Sequence, residues 1–354
     1  MKDYIKQLVK IKQTRIHDLF ESFFCKDVVK FTKSEKYAFV FLAADYNNLG
    51  DIAITTAQVR FLQQIFPTYK IVCVKPSDTI RYCKSIKKLS TNNVLVTIIG
   101  GGNNGSLYEF LERPRRFILN ELKGYRIVSF PQTVFYGTSE RDIPYKYAFI
   151  KAANKCSHLN VFARERYSLN KYRELKLEKA KIDLVPDIVF SLVPPRLNDH
   201  SGDGIALMLR NDIEKNVDVK HQKQIIDYLT LTKDEKIEKM DTWGESTKLF
   251  DDKTLMNYLE KLSHKKIAIT DRLHGMIFCF ITHTPCIVID SMNPKILSTY
   301  ETWLRKQNFI KMINTNSSIQ EFISAYESLA KNIKPDAQMQ EFNYLPLIEA
   351  CKGE

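Results

Sequence analysis

Short apolar runs alternate with stretches whose apolar residues return at helical spacing, and this alternation occupies most of the chain. Residues 37–44 (YAFVFLAA) form a run long enough for a buried strand. The polar DYNNLGD follows, after which Val59, Leu62 and Phe66 share one helical face. Further strands are predicted at 70–74 (KIVCV), 94–99 (VLVTII), 126–130 (RIVSF), 159–163 (LNVFA) and 184–190 (LVPDIVF), with helical stretches such as 115–122 and 152–156 between them. The same rhythm resumes with 204–209 (GIALML), a polar helical stretch after Asp218, 266–270 (KIAIT), a helix from Arg272, and 286–290 (CIVID). Near the end, Ile319, Phe322, Ile323 and Tyr326 line one helical face behind the cap candidates Ser317 and Ser318. Apolar strands separated by helices predict α/β domains built on parallel sheets covered on both faces. The tetrapeptide Ile-Ala-Ile-Thr occurs twice, read as a helix start at 52–55 and a strand end at 267–270, so context decides both assignments.

Length changes the picture from one domain to two, since 354 residues exceed what a single core usually holds. The boundary is placed at Val193-Pro194-Pro195, where two prolines stop regular structure and a polar stretch without apolar periodicity follows. This gives a domain over 1–195, a second over 196–335, and a tail over 336–354.

Composition is that of a globular protein, and the charge balance, 53 Lys+Arg against 41 Asp+Glu for a net +12, favours anionic partners. Seven cysteines without a C-x-x-C pair read as reduced residues of a cytoplasmic protein. The first twenty residues are interrupted by charges and lack a signal-peptide core, and no apolar stretch is long enough to span a bilayer. Any membrane association is therefore expected to be peripheral. Basic residues are scattered rather than gathered in a stripe with aromatics, which ranks a nucleic-acid or membrane-surface module last.

Candidate chemistry lies where strands give way to helices, because helix N-termini there present unpaired N–H groups. In Asn47-Asn48-Leu49-Gly50-Asp51, Gly50 allows a tight turn and Asp51 is positioned to cap the next helix; a role as cap alone competes with a role in a site. In Gly100-Gly101-Gly102-Asn103-Asn104-Gly105, consecutive glycines expose backbone amides to a polar ligand. The spacing is neither a Walker A loop nor a dinucleotide fingerprint, so nucleotide cofactors lack support. The sharpest group is Asp271-Arg272-Leu273-His274-Gly275. With Asp271 as cap, Arg272 and His274 fall in the first helical turn, where two cations oppose the dipole unless an anion binds. A core histidine bonded to a backbone carbonyl is the competing reading of His274. Arg210, at the end of IALML, points toward the same crevice. The remaining histidines have no ligand-like spacing, so no metal site is expected, and no nucleophile has an evident base.

Taken in order, NNLGDIAI, the GGG after a strand, VSFPQT, VFARERYS, VPDIVFSL, LMLRND and TDRLHGMIFCFITHTPCIVID resemble the polysaccharide pyruvyl transferase family from about Asn47 to Lys295. The resemblance implies two Rossmann-like doubly wound domains similar to the GT-B glycosyltransferase architecture. It also implies transfer of pyruvate from phosphoenolpyruvate to a sugar as a ketal. It assigns phosphoenolpyruvate to Arg210, Arg272 and His274 in the second domain. The acceptor saccharide, free or lipid-linked, goes to Asn48, Gly101, Gly102, Asn103 and Gln132 in the first. The family's G-Q-G-x-G stretch reads Phe130-Pro131-Gln132-Thr133-Val134 here, and its acidic residue and lysine after the last strand are represented by Asp290 and Lys295.

The chemistry suits these residue types. Arginines hold phosphate and carboxylate, and a histidine beside a phosphate is suited to give a proton. His274 is thus the expected donor to C3, Arg272 and Arg210 fix the substrate, and Asp51 is a candidate base for the acceptor hydroxyl. No cofactor is expected beyond phosphoenolpyruvate as donor substrate, and a basic enzyme acting on a lipid-linked sugar is expected to sit at the anionic inner face of the membrane. The alternative enzyme reading is a nucleotide-sugar-dependent GT-B glycosyltransferase in polysaccharide biosynthesis.

Overall fold

A computed structural model describes residues 1–26, 28–194, 202–210, 219–243, 251–290, 294–331 and 341–354. It divides into two compact units, each built on a parallel sheet.

The first unit comprises Met1–Asp45, Ile54–Ile188 and Phe342–Glu354. Its strands are β1 (Tyr37–Phe41), β2 (Lys70–Val74), β3 (Val94–Ile98), β4 (Gly101–Gly105), β5 (Arg126–Phe135), β6 (His158–Ala163) and β7 (Lys181–Leu184). The order is β2-β1-β3-β5-β6-β7, with β4 pairing β5, and every pairing is parallel. β1 and β3 are apolar and fully buried because helices cover both faces of the sheet. Those helices are α1 (Lys2–Phe24), α2 (Leu49–Ile65), α3 (Thr79–Ile86), α4 (Glu109–Glu121), α5 (Ile143–Ala153) and α6 (Arg166–Glu174).

The second unit comprises Tyr46–Ala53 and Val189–Glu341. Its strands β8 (Ile205–Met208), β9 (Ile237–Lys239), β10 (Ile267–Thr270), β11 (Cys286–Ile289) and β12 (Ile310–Ile313) run parallel in the order β12-β11-β10-β8-β9. Helices α7 (Val219–Asp227), α8 (Asp252–Ser263), α9 (Leu273–Thr282), α10 (Lys295–Thr299) and α11 (Ile319–Ala330) flank it, and α12 (Leu345–Lys352) returns to the first unit. A core of Ile205, Leu207, Ile267, Ile269, Ile287 and Phe322 closes one face. Ser318 and Glu321 form a reciprocal capping box on α11.

The unit boundaries follow hydrogen bonds more than chain order. Leu49 N donates to Thr242 O at 2.8 Å and Asn48 forms an antiparallel bridge with Trp243, which draws 46–53 into the second unit rather than the first. The first unit ends at Ile188 instead of 195, and its last piece lies in the segment read as a tail. There Arg126 Nη1 donates to Cys351 O at 3.1 Å and Lys352 O at 2.8 Å, and Tyr344 Oη donates to Asp187 O at 2.7 Å. Residues 195–201 of the expected linker lie outside the described residues.

Two elements differ from expectation. The run 184–190 is a strand only to Leu184, since Pro186 has no N–H to continue the ladder, and Ile188–Ser191 makes a 3₁₀ turn. The glycine loop is itself the strand β4. The last element of the GGG region can pair with β5 because its glycines allow close backbone approach: a Cβ on Gly100 would sit 2.8 Å from Pro131 O.

Candidate active site

In the second sheet the chain steps from β8 to β9 on one side and then to β10 on the other, so the topological switch point lies between β8 and β10. Crevices at the carboxyl ends of such strands are where doubly wound sheets bind ligands. Arg210 follows β8, Asp241 follows β9, and Asp271, Arg272 and His274 follow β10. The first turn of α2, with Asn48, Gly50 and Asp51, belongs to the same unit.

Asp271 is not the helix cap predicted for it. The N-cap position of α9 is Arg272, in extended conformation, and the Arg272 N–H donates to Thr270 Oγ1 at 3.0 Å. The Asp271 carboxylate reaches sideways and accepts from the Arg210 N–H at 2.8 Å, tying the ends of β8 and β10 together. Burial pushes this carboxyl up to about 6, against the lowering effect of that hydrogen bond and of Arg272 and Arg210. Arg272 is buried and forks onto one carboxylate, with Nε 2.7 Å from Asp241 Oδ1 and Nη2 donating to Asp241 Oδ2 at 2.9 Å. Thus a cation at the N-terminal end of α9 is balanced within the protein, by a residue that follows a three-residue edge strand. Sequence reasoning missed Asp241 because so short a strand carries almost no periodic signal; the Asp-Thr-Trp step out of it is the only local mark.

His274 lies in the first turn of α9, half-buried, with its ring 6.2 Å from that of Phe278. Its Nδ1 lies against Gly50, so close that a Cβ there would overlap the ring. The backbone of the first turn of α2 therefore meets the imidazole directly, which explains why position 50 is glycine. Gly275 answers a similar demand, since a Cβ there would overlap Thr270 Oγ1. α2 is capped by Asn48, whose Oδ1 accepts from Gly50 N at 2.9 Å, and not by Asp51, which sits two residues into the helix. The structure thus sets Gly50, in the first turn of α2, against His274 of α9, and ties Arg210 to Asp271 and Arg272 to Asp241 at the ends of β8, β10 and β9; Asn48 and Asp51 lie either side of Gly50 in the chain.

The glycine region of the first unit has a different character. Gly101 is buried and Gly102 is exposed, with a Cβ on Gly102 lying 3.2 Å from Arg164 Nη2. Asn103 and Gln132, expected to meet a saccharide directly, are interior. Gln132 has no exposed surface; its Nε2 donates to Ile99 O at 2.5 Å and to Asn103 Oδ1 at 3.2 Å, and its Oε1 accepts from Ser129 Oγ at 2.9 Å. Arg115, also buried, donates from Nη1 to Gln132 Oε1 at 3.2 Å and from Nη2 to Asn103 Oδ1. Asn104 bridges Tyr172 and Tyr136 at 2.7 and 3.1 Å. These side chains shape the backbone of β4 from below, leaving Gly102 as the member of the predicted acceptor set in this unit that reaches the surface. Most of the VFARERYS segment is also internal, with Arg166 exposed. Arg164 donates from Nε to Thr133 Oγ1 and from Nη1 to Asp187 Oδ2, both at 2.8 Å, while Ser168 and Thr133 donate to Glu165.

One cluster of potential metal ligands occurs among the described residues, His17, Asp18 and Glu21 on α1, but Arg113 forks onto the Asp18 carboxylate there.

Two parallel-sheet Rossmann-like units define an α/β protein of GT-B-like fold. Two solved structures share this fold, each at a TM-score of 0.51. A protein of uncharacterised function from Klebsiella pneumoniae is 18% identical and covers 80% of this chain and 94% of its own. A protein from Listeria monocytogenes described as a UDP-N-acetylglucosamine 2-epimerase is 9% identical, covering 85% and 92%. The chain belongs to the polysaccharide pyruvyl transferase family, whose pattern it matches over residues 48–293. Among its relatives, General stress protein 30 of Bacillus subtilis is 30% identical over 323 residues, 89% of this chain and 91% of that protein. Pyruvyl transferase 1 of Schizosaccharomyces pombe is 25% identical over 279 residues, 73% and 68% of the two chains. The protein is accordingly an enzyme of the pyruvyl transferase type, with a saccharide as acceptor.

Proposed function

We propose that the enzyme moves pyruvate from phosphoenolpyruvate to two hydroxyls of a saccharide in a cell-surface polysaccharide or its lipid-linked precursor. The observation that carries this reading is the contact of His274 with Gly50 in the first turn of α2, at the same carboxyl end of the second sheet as Arg210 and the Asp241-held Arg272. Phosphoenolpyruvate is a compact dianion or trianion, and such a site matches both its phosphate and its carboxylate. In the reaction, C3 of the enol phosphate gains a proton, two acceptor oxygens bond to C2, and the C2–O bond to phosphate breaks. One of the two hydroxyl protons ends on C3 and the other leaves with inorganic phosphate. The balance needs no oxidant or reductant, and phosphoenolpyruvate serves as substrate without a further cofactor.

His274 delivers the proton to C3, Arg210 and Arg272 hold the donor, and Asp51 accepts a hydroxyl proton. Asn48 and the Gly101–Gly102 backbone contact the saccharide, whereas Asn103 and Gln132 position that backbone from the interior. The work takes place in the cytoplasm, with peripheral contact at the anionic inner face of the membrane. No described helix is long and apolar enough to cross a bilayer.

Incubation with phosphoenolpyruvate and a panel of lipid-linked and aryl saccharides, following phosphate and product mass together, tests the reading. Phosphate release coupled to a ketal-bearing product is expected from the wild type, and none from His274→Ala with its thermal unfolding unchanged. Release of a nucleotide from a nucleotide sugar, with phosphoenolpyruvate inert, would replace it by the glycosyltransferase reading.

A further inference from the structure

A helix lying on a domain normally turns apolar residues inward and polar ones outward. α1 breaks this rule on its outer side. At about 100° per residue, its least exposed positions, Gln7, Ile11, Thr14 and the buried Asp18, lie along one side of the helix. On the opposite side stand Ile5, Val9, Ile16, Phe20 and Phe23, between 46% and 78% exposed. Phe24 joins them at the end, with ring centroids 4.4 Å from Phe20 and 5.1 Å from Phe23. The strip runs the length of a 23-residue helix, about 35 Å.

Charge is sorted around this strip. Lys6 and Lys12, both exposed, border it and Lys2 stands at its N-terminal end, whereas the acidic Asp3 and Glu21 fall toward the far flank with Lys10, which pairs with Glu109. On the Lys12 side a groove of about 250 Å³ opens between α1, α4 and α5, lined by Lys12, Arg15, Lys151 and Lys155, while its acidic members Asp18 and Glu121 are paired to Arg113 and Lys87. Burial, together with the nearby cations Arg15, Lys151 and Lys123, pulls the Lys155 ammonium below its ordinary value. A second copy laid parallel on this face would set lysine borders against lysine borders, and one laid antiparallel would offer Lys2 and Lys6 no counter-charge but Glu21. A surface that is both apolar and negatively charged meets every part of the pattern.

We propose that the outward face of α1, with its flanking basic groove, docks the protein on an anionic lipid bilayer. The helix lies in the plane of the interface, its strip entering the acyl boundary and the lysines and groove taking lipid phosphates. The inference gives a surface to the membrane contact of the proposed function and rests on that reading only for its purpose, since the observations involve none of the transfer site.

The test uses the full chain and vesicles of phosphatidylcholine with or without phosphatidylglycerol, read by co-sedimentation. Binding is expected to the mixed vesicles and to fall about tenfold near 0.5 M salt, where screening is short-ranged. The double variant Phe20→Ser, Phe23→Ser should bind about tenfold less at low salt with the same unfolding temperature, because both rings are exposed. Lys12→Gln with Lys151→Gln should remove much of the salt-sensitive part. A Phe20→Trp probe should shift its emission to the blue on anionic vesicles alone. Equal binding by wild type and the phenylalanine variant overturns the proposal, as does a vesicle-inert protein whose self-association that variant abolishes. Phosphate release with a water-soluble saccharide should be the same in wild type and variant. Failure of docking therefore leaves pyruvyl transfer standing, and the reverse holds too.

Discussion

Single side chains in this protein are explained by what their neighbours leave room for. The imidazole of His274 lies where a side chain at position 50 would otherwise be, so Gly50→Ala must push the ring or the first turn of α2 aside. Phosphate-release kcat is expected to drop about 10- to 100-fold with little change in unfolding temperature, because misplacement of about 1 Å is costly to catalysis. Unchanged kcat would detach Gly50 from the site. Asp241→Asn should act on both readouts: it leaves the buried Arg272 guanidinium without its carboxylate, lowering stability by about 1–3 kcal/mol at pH 7 and reducing kcat/KM. Chemical denaturation and steady-state assays of the same preparation check the pair.

The carboxyl of Glu165 gives a pH signature. Burial pushes it up to about 7 from 4.5, more than Arg164, Ser168 and Thr133 pull it down. A carboxyl with a raised native pKa holds its proton more tightly when folded, so its contribution to stability is complete below pH 4.5 and is lost as pH rises toward 7. Glu165→Gln should flatten the dependence of unfolding temperature on pH across that interval, and an unaltered slope would show that other groups carry it. The residues that gave the family resemblance divide along the same lines. The D-R-L-H-G run stood out because two cations are the wrong types for an ordinary helix start, whereas N-N-L-G-D also suited a simple cap, the part that Asn48 plays on α2. Gln132 and Arg164 were not legible as interior residues, because burial of a polar side chain depends on partners distant in the chain, such as Arg115 and Asp187.

At the level of elements, what could be read was what is buried on both faces. β1, β3, β10 and β11 are continuous apolar runs and were placed within a few residues. The two copies of Ile-Ala-Ile-Thr fall in α2 and β10 as their contexts require. β9 and β4 escaped because one is a short sheet edge and the other is made of glycine and asparagine, which carry no strand pattern. α1 escaped because its outward apolar residues blur the one-sided periodicity that marks a surface helix. The junction of β10 with α9 depends on Gly275, whose hydrogen faces Thr270 Oγ1 while that oxygen also accepts from the Arg272 N–H. Gly275→Ala should destabilise the protein by about 1–3 kcal/mol through overpacking, seen as a lower denaturation midpoint with an unchanged m-value.

For the whole molecule, the two-domain organisation was legible from length and from the repeated strand-helix rhythm. The bookkeeping of which residues belong to which unit was not, because it is settled by the Leu49–Thr242 and Arg126–Cys351 hydrogen bonds between segments far apart in sequence. Removing 342–354 should therefore lower the unfolding temperature of the first unit and expose apolar surface around β5 and Phe61, which now faces Tyr344 at 5.7 Å. Full thermal stability in such a truncation would contradict the role given to α12.

The return of α12 to the first unit also sets an order of events during translation. Every strand of the first sheet has been synthesised before β8 begins, yet the unit waits for a helix made after the whole second unit. A nascent chain must therefore hold an unfinished first half, with the seat of Tyr344 open, until α12 clears the ribosome.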